Sequence, residues 1–105
     1  MKPLSPMTRD AVNVLGQLVA SERRLQRRTA ADLAERAGIS RDTLYRVERG
    51  DPSVAVGTVL EVLVLLGVPL FGRDAAGLAR EVARGRGFLA LLPERVRATE
   101  PDDDF

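Results

Sequence analysis

The chain has no cysteine, no histidine and no tryptophan. That excludes disulfide staples, thiol nucleophiles, zinc sites of the usual Cys/His type and any imidazole acid–base chemistry. Aromatic residues are only 4% of the whole, a thin supply for base-stacking or sugar-stacking platforms. No apolar run approaches the roughly twenty residues of a transmembrane helix. The opening Met-Lys-Pro-Leu-Ser-Pro lacks the long apolar segment of a secretory signal. These absences predict a soluble, cytoplasmic protein that is not an enzyme, has no place in a membrane and needs neither cofactor nor metal. What is present is a globular composition, 45% hydrophobic and 30% charged, in 105 residues. Such a length suits one compact domain, or a domain with an arm.

Charge is unevenly spread. The net charge is +1, yet Glu100, Asp102, Asp103 and Asp104 lie in the last seven residues with no base among them. The body before them is therefore basic, and all but one of its sixteen bases are arginine. Arginine suits bidentate recognition of phosphate and guanine, although a solvated surface can carry the same balance.

Local punctuation predicts five helices. Ser5-Pro6 reads as an N-cap with proline at the first helical position, followed by Ala11, Val12, Leu15, Leu18 and Val19 at amphipathic spacing as far as about Arg24. Thr29 caps Ala30–Ala37, with Asp32 where a capping box puts its acceptor, and Gly38 ends the segment. Ser40 caps a third helix, Arg41 to Arg49, before Gly50 and the Asp51-Pro52 turn. The apolar run Val54 to Leu66 has strand-like composition, but its length and the Gly67 and Pro69 terminators favour a helix buried on both sides. Asp74 caps a last helix to about Leu92, with a weak middle at Gly85 and Gly87 where it could break. Pro93 ends it, and residues 93–105 read as an extended or disordered acidic tail.

Two short helices joined by Gly38-Ile39-Ser40 make a helix-turn-helix pattern, whose second helix enters the DNA major groove. The runs LAERAGIS and LYRVERG resemble the lambda-repressor-like (XRE) helix-turn-helix family. The match runs from Arg23 to Val68, a little under half the chain, with the motif at residues 29–50. The expected fold is all-α: a five-helix DNA-binding and dimerisation domain over residues 1–92 with the tail beyond it.

The resemblance implies site roles. Arg41, Asp42, Thr43 and Arg46 stand where the family's recognition helix meets base edges. Asp42 has an equal alternative, a carboxylate favoured in a helix's first turn by the helix dipole. Arg27, Arg28, Thr29, Ser40, Tyr45 and Arg49 fall at phosphate-contacting positions, though for Tyr45 simple packing competes. Ala30 departs from the glutamine often found after the cap, so one phosphate contact is missing. Arg23 and Glu48 match a structural ion pair, and Leu33, Ala34, Ala37, Ile39, Leu44, Val47, Val59 and Leu63 the core.

The chain's end, LLPERVR and then DDDF, is similar to HipB-type antitoxins. That narrower resemblance implies a homodimer on double-stranded operator DNA, repression of its own operon and inactivation of a HipA-like kinase toxin. Asp102, Asp103, Asp104 and Phe105 would then dock on the kinase; a plain solubilising end is the alternative. A free-standing repressor with no toxin partner is the competing function.

Overall fold

A computed structural model describes residues 2–96. These residues are all-helical and fall into two compact units divided between Gly72 and Arg73. The first unit holds α1 (Pro6–Leu25), α2 (Ala30–Ala37), α3 (Arg41–Glu48) and α4 (Val56–Leu65); the second holds α5 (Ala75–Ala90). No helix is long and apolar enough to cross a membrane among the described residues.

Side-chain caps set the starts of four helices. Ser5, Thr29, Ser40 and Asp74 are extended and accept from the backbone N–H three residues on, at 3.3, 3.0, 3.0 and 2.8 Å. Each satisfies one of the donors that a helix start leaves orphaned. At Thr29 only half of the capping box forms, because the Asp32 carboxylate turns to Arg36 at 3.2 Å instead. Between α2 and α3 the chain reverses at Gly38, whose φ of 71° lies in the left-handed region that a side chain disfavours.

The first unit's core is Val19, Ala30, Leu33, Ala34, Leu44, Val47, Val62, Leu63 and Leu66, with Ile39, Ala37 and Val59 partly buried against it. α3 packs on α1 and α2, and α4 on α2 and α1. The α1–α3 contact is close because Gly16 faces the C-terminal backbone of α3. A Cβ there would lie 2.5 Å from the Val47 carbonyl oxygen and 2.7 Å from that of Glu48.

Two expectations about α4 are corrected, and the break left open in the last helix does not occur. α4 starts at Val56 rather than Val54, since Ala55 offers no capping side chain and Val54 packs against the core from the preceding loop. Nor is α4 buried on both sides: Val62 and Leu63 face the core, whereas Val56 and Val64 are exposed. α5 does not break at Gly85 or Gly87, and Leu91 caps it. The cost of each glycine, about 1 kcal/mol, is spread over sixteen residues rich in alanine and arginine. Glu81 adds ion pairs to Arg73 at 3.0 Å and Arg84 at 3.3 Å within that unit. Val82, Phe88 and Leu89 remain exposed on it.

Candidate nucleic-acid interface

The outer face of α3 is set by what its inner face must bury. Leu44 and Val47 point into the core, so Arg41, Asp42, Tyr45 and Arg49 stand exposed. Arg41, Tyr45 and Arg49 are spaced by four residues and so form one stripe along the helix, a phenol between two guanidinium groups. At the helix start the Ser40 hydroxyl accepts from the Thr43 amide and donates to Thr43 Oγ1, both at 3.0 Å. The Thr43 hydroxyl keeps its own hydrogen to donate outward.

Arg46 is held by the loop that follows its helix. Its Nε donates to Asp51 Oδ2 at 3.0 Å and its Nη2 to Ser53 Oγ at 2.6 Å. Asp51 Oδ1 in turn accepts from the Ser53 amide at 2.9 Å and the Ser53 hydroxyl at 2.7 Å. The Ser53 hydroxyl and amide, and then the Arg46 guanidinium, hold the Asp51 carboxyl well below the usual carboxylate range. Sequence reasoning assigned Asp51 only to a turn and gave Ser53 no role; the Asp-Pro-Ser order, which allows an Asx turn, is the one legible hint.

Behind α3, Arg23 Nε donates to Glu48 Oε2 at 2.7 Å and Nη2 to Oε1 at 3.1 Å, a bidentate pair linking α1 to the end of α3. The two side chains are 13% and 9% exposed. Hydrogen bonding to Glu48 outweighs desolvation and raises the Arg23 pKa above its ordinary value, so it stays cationic. Its Nη1 donates to the Arg28 carbonyl at 3.1 Å, tying the pair to the start of α2.

The α1–α2 connection carries the remaining candidates. Thr29 caps α2, and Arg27 is exposed with a φ of 57°. The Arg28 amide bonds the Arg23 carbonyl at 3.0 Å, a helix ending that usually has glycine in the left-handed position now held by Arg27. Arg28 turns partly inward, donating from Nη1 to the Leu65 carbonyl at 2.7 Å. Gln26 donates to the Leu66 carbonyl at 2.7 Å. These two side chains satisfy the end of α4, which has no basic residue in its own last turn. That second task for Arg28 was not readable from sequence, because it depends on where α4 ends.

No group of three or more His, Cys, Asp or Glu side chains that could hold a metal exists among the described residues. Asp102, Asp103, Asp104 and Phe105, assigned above to a partner, lie outside the described residues. No curated protein matches this chain. A family model described as a helix-turn-helix domain matches residues 14–76, more than half of the chain, from the middle of α1 to the first residues of α5, and includes every candidate DNA-contacting residue. The chain therefore belongs to the helix-turn-helix domain family, a DNA-binding fold.

Proposed function

We propose that the chain is a sequence-specific repressor that binds double-stranded operator DNA as a homodimer, with α3 in the major groove. The observation that carries this reading is the exposed Arg41–Tyr45–Arg49 stripe on a helix whose other side is locked by Leu44, Val47 and the Arg23–Glu48 pair. Arg41, Asp42, Thr43 and Arg46 read bases. Arg27, Arg28, Thr29, Ser40, Tyr45 and Arg49 hold phosphates, with Arg28 contributing least because part of its guanidinium serves α4. Arg27 supports this assignment, since a non-glycine left-handed residue costs about 1–2 kcal/mol, and an exposed cation beside the start of α2 gives that cost a use. The apolar residues exposed on α4 and on α5 supply faces for a second copy.

The chain is further a HipB-type antitoxin, which neutralises a HipA-like kinase through Asp102, Asp103, Asp104 and Phe105 while the helices bind DNA. The support for this is the resemblance carried by LLPERVR and DDDF, where an aromatic residue beside three carboxylates suits a short linear motif.

The test is a comparison of variants on operator and random duplexes across salt. Arg41→Ala costs about 1–3 kcal/mol on the operator and flattens preference at one base position. Arg49→Ala weakens all duplexes alike and lowers the salt slope by about one unit. Equal loss on operator and random DNA from Arg41→Ala would remove it from the base-reading set. Deleting residues 99–105 leaves operator affinity intact and weakens pull-down of the kinase; full neutralisation without them contradicts the antitoxin assignment.

A further inference from the structure

We propose that Asp51 and Ser53 are specificity-determining residues that position the Arg46 guanidinium to read one guanine in each half-site. This inference rests on the DNA-binding reading above.

A guanidinium has five N–H donors in one rigid plane. The bracket engages the Nε–H with Asp51 Oδ2 at 3.0 Å and one Nη2–H with Ser53 Oγ at 2.6 Å. Both contacts fall on the same side of the guanidinium. The end formed by Nη1 and the second Nη2 hydrogen stays available, and two parallel donors are what guanine O6 and N7 accept. An unbraced arginine such as the exposed Arg41 must lose its rotamer freedom when it binds. Arg46 has already lost much of that freedom on folding, so more of its contact energy remains to discriminate between bases.

The bracket is itself rigid. Pro52 restricts the backbone between its two members, and Asp51 Oδ1 closes on the Ser53 amide at 2.9 Å and hydroxyl at 2.7 Å. Charge sorts the function further. A carboxylate 3.0 Å from Arg46 offsets the attraction of that arginine for any phosphate while leaving its hydrogen-bonding end intact. Arg46 therefore adds to discrimination more than to general affinity, the reverse of what Arg49 adds.

Asp51→Asn separates this role from a purely structural one. Asparagine keeps an oxygen for the Ser53 amide, so the turn survives, but presents an NH2 group where Arg46 needs an acceptor. The full chain is used to select duplexes from a random pool, and affinity is then measured for all four bases at each half-site position. Arg46→Ala is expected to lower preference for one guanine by about 5- to 150-fold. Asp51→Asn is expected to lower the preference at that same position at least about 5-fold, with random-DNA affinity unchanged or raised and melting within about 4 °C of the parent. Ser53→Ala gives a smaller loss and Ser53→Thr restores the profile; this pair carries the test if Asp51→Asn does not fold. A full guanine preference in Asp51→Asn overturns the proposal and leaves the DNA-binding reading standing. A sharper preference also overturns it, by showing that the bracket withholds Arg46 from DNA. An unchanged profile in Arg46→Ala removes Arg46 from base reading, and the proposal with it. A parent chain that selects no sequence overturns the DNA-binding reading itself.

Discussion

Removing Arg23 tests how the recognition helix is held. Arg23→Ala deletes both hydrogen bonds to Glu48 and the one to the Arg28 carbonyl, leaving a carboxylate that is only 9% exposed without its counter-charge. Breaking a buried pair by removing one partner costs about 3–5 kcal/mol, and the residual exposure here places the loss near the lower end, about 3 kcal/mol. For a domain of this size each kcal/mol shifts the midpoint by about 4–8 °C, so Arg23→Ala melts about 12–24 °C lower. The sign of the double replacement is the sharper test. Arg23→Met with Glu48→Leu removes both charges and fills the space, which is often neutral or stabilising for a buried pair. The double variant still lacks the bond to the Arg28 carbonyl, a loss of about 1 kcal/mol, and so lies well above Arg23→Ala. The assay is thermal unfolding followed by helical circular dichroism at one protein concentration, with operator affinity measured cold, where every variant is folded. A drop of less than about 4 °C for Arg23→Ala, or a double variant no more stable than Arg23→Ala, would show that the ion pair does not hold α3 in place.

Further outcomes follow from the same geometry. Gly16→Ala gains about 1 kcal/mol of helix propensity. It nevertheless destabilises, because overpacking against the Val47 and Glu48 carbonyls costs about 1–3 kcal/mol and backbone cannot step aside; a raised midpoint contradicts this. Gln26→Ala orphans the Leu66 carbonyl and costs about 1 kcal/mol, read as a lower denaturant midpoint with unchanged slope. The Asp51 carboxyl, followed by carbon NMR, titrates below the ordinary aspartate value of about 3.9. Its folded pKa lies below its unfolded one, so the stability it contributes is fully present above that pH and is lost as pH falls through the folded value. An ordinary midpoint means that the bracket is absent in solution.

What sequence disclosed was local. Ser5, Thr29, Ser40 and Asp74 announce their helices because a cap acts within three residues, and Gly38 announces its turn because its φ demands glycine. What it hid depends on distant parts of the chain. Nothing local to α1 marks Gly16, and only the approach of α3 makes it a packing requirement. The apolarity of α4 is legible, but whether one chain covers it depends on its neighbours, and Val56 and Val64 stay exposed. Arg28 and Arg46 read from the sequence only as DNA-contacting positions, whereas each also has a partner within the chain set by a helix end or a loop. Arg23 and Glu48, 25 residues apart, were paired only through the family resemblance; their nearest side-chain atoms are 2.7 Å apart.

Every proposed site role depends on sequence-specific recognition of duplex DNA by α3. Its most direct test is titration of the full chain into a duplex enriched from a random pool and into a scrambled duplex of the same composition at one salt concentration. The expected result is an enriched site with two-fold symmetry, half-site centres about one helical turn or a whole multiple of it apart, and affinity for it at least about a thousandfold above the scramble. Equal affinity for both duplexes, or no enriched sequence at all, would contradict it.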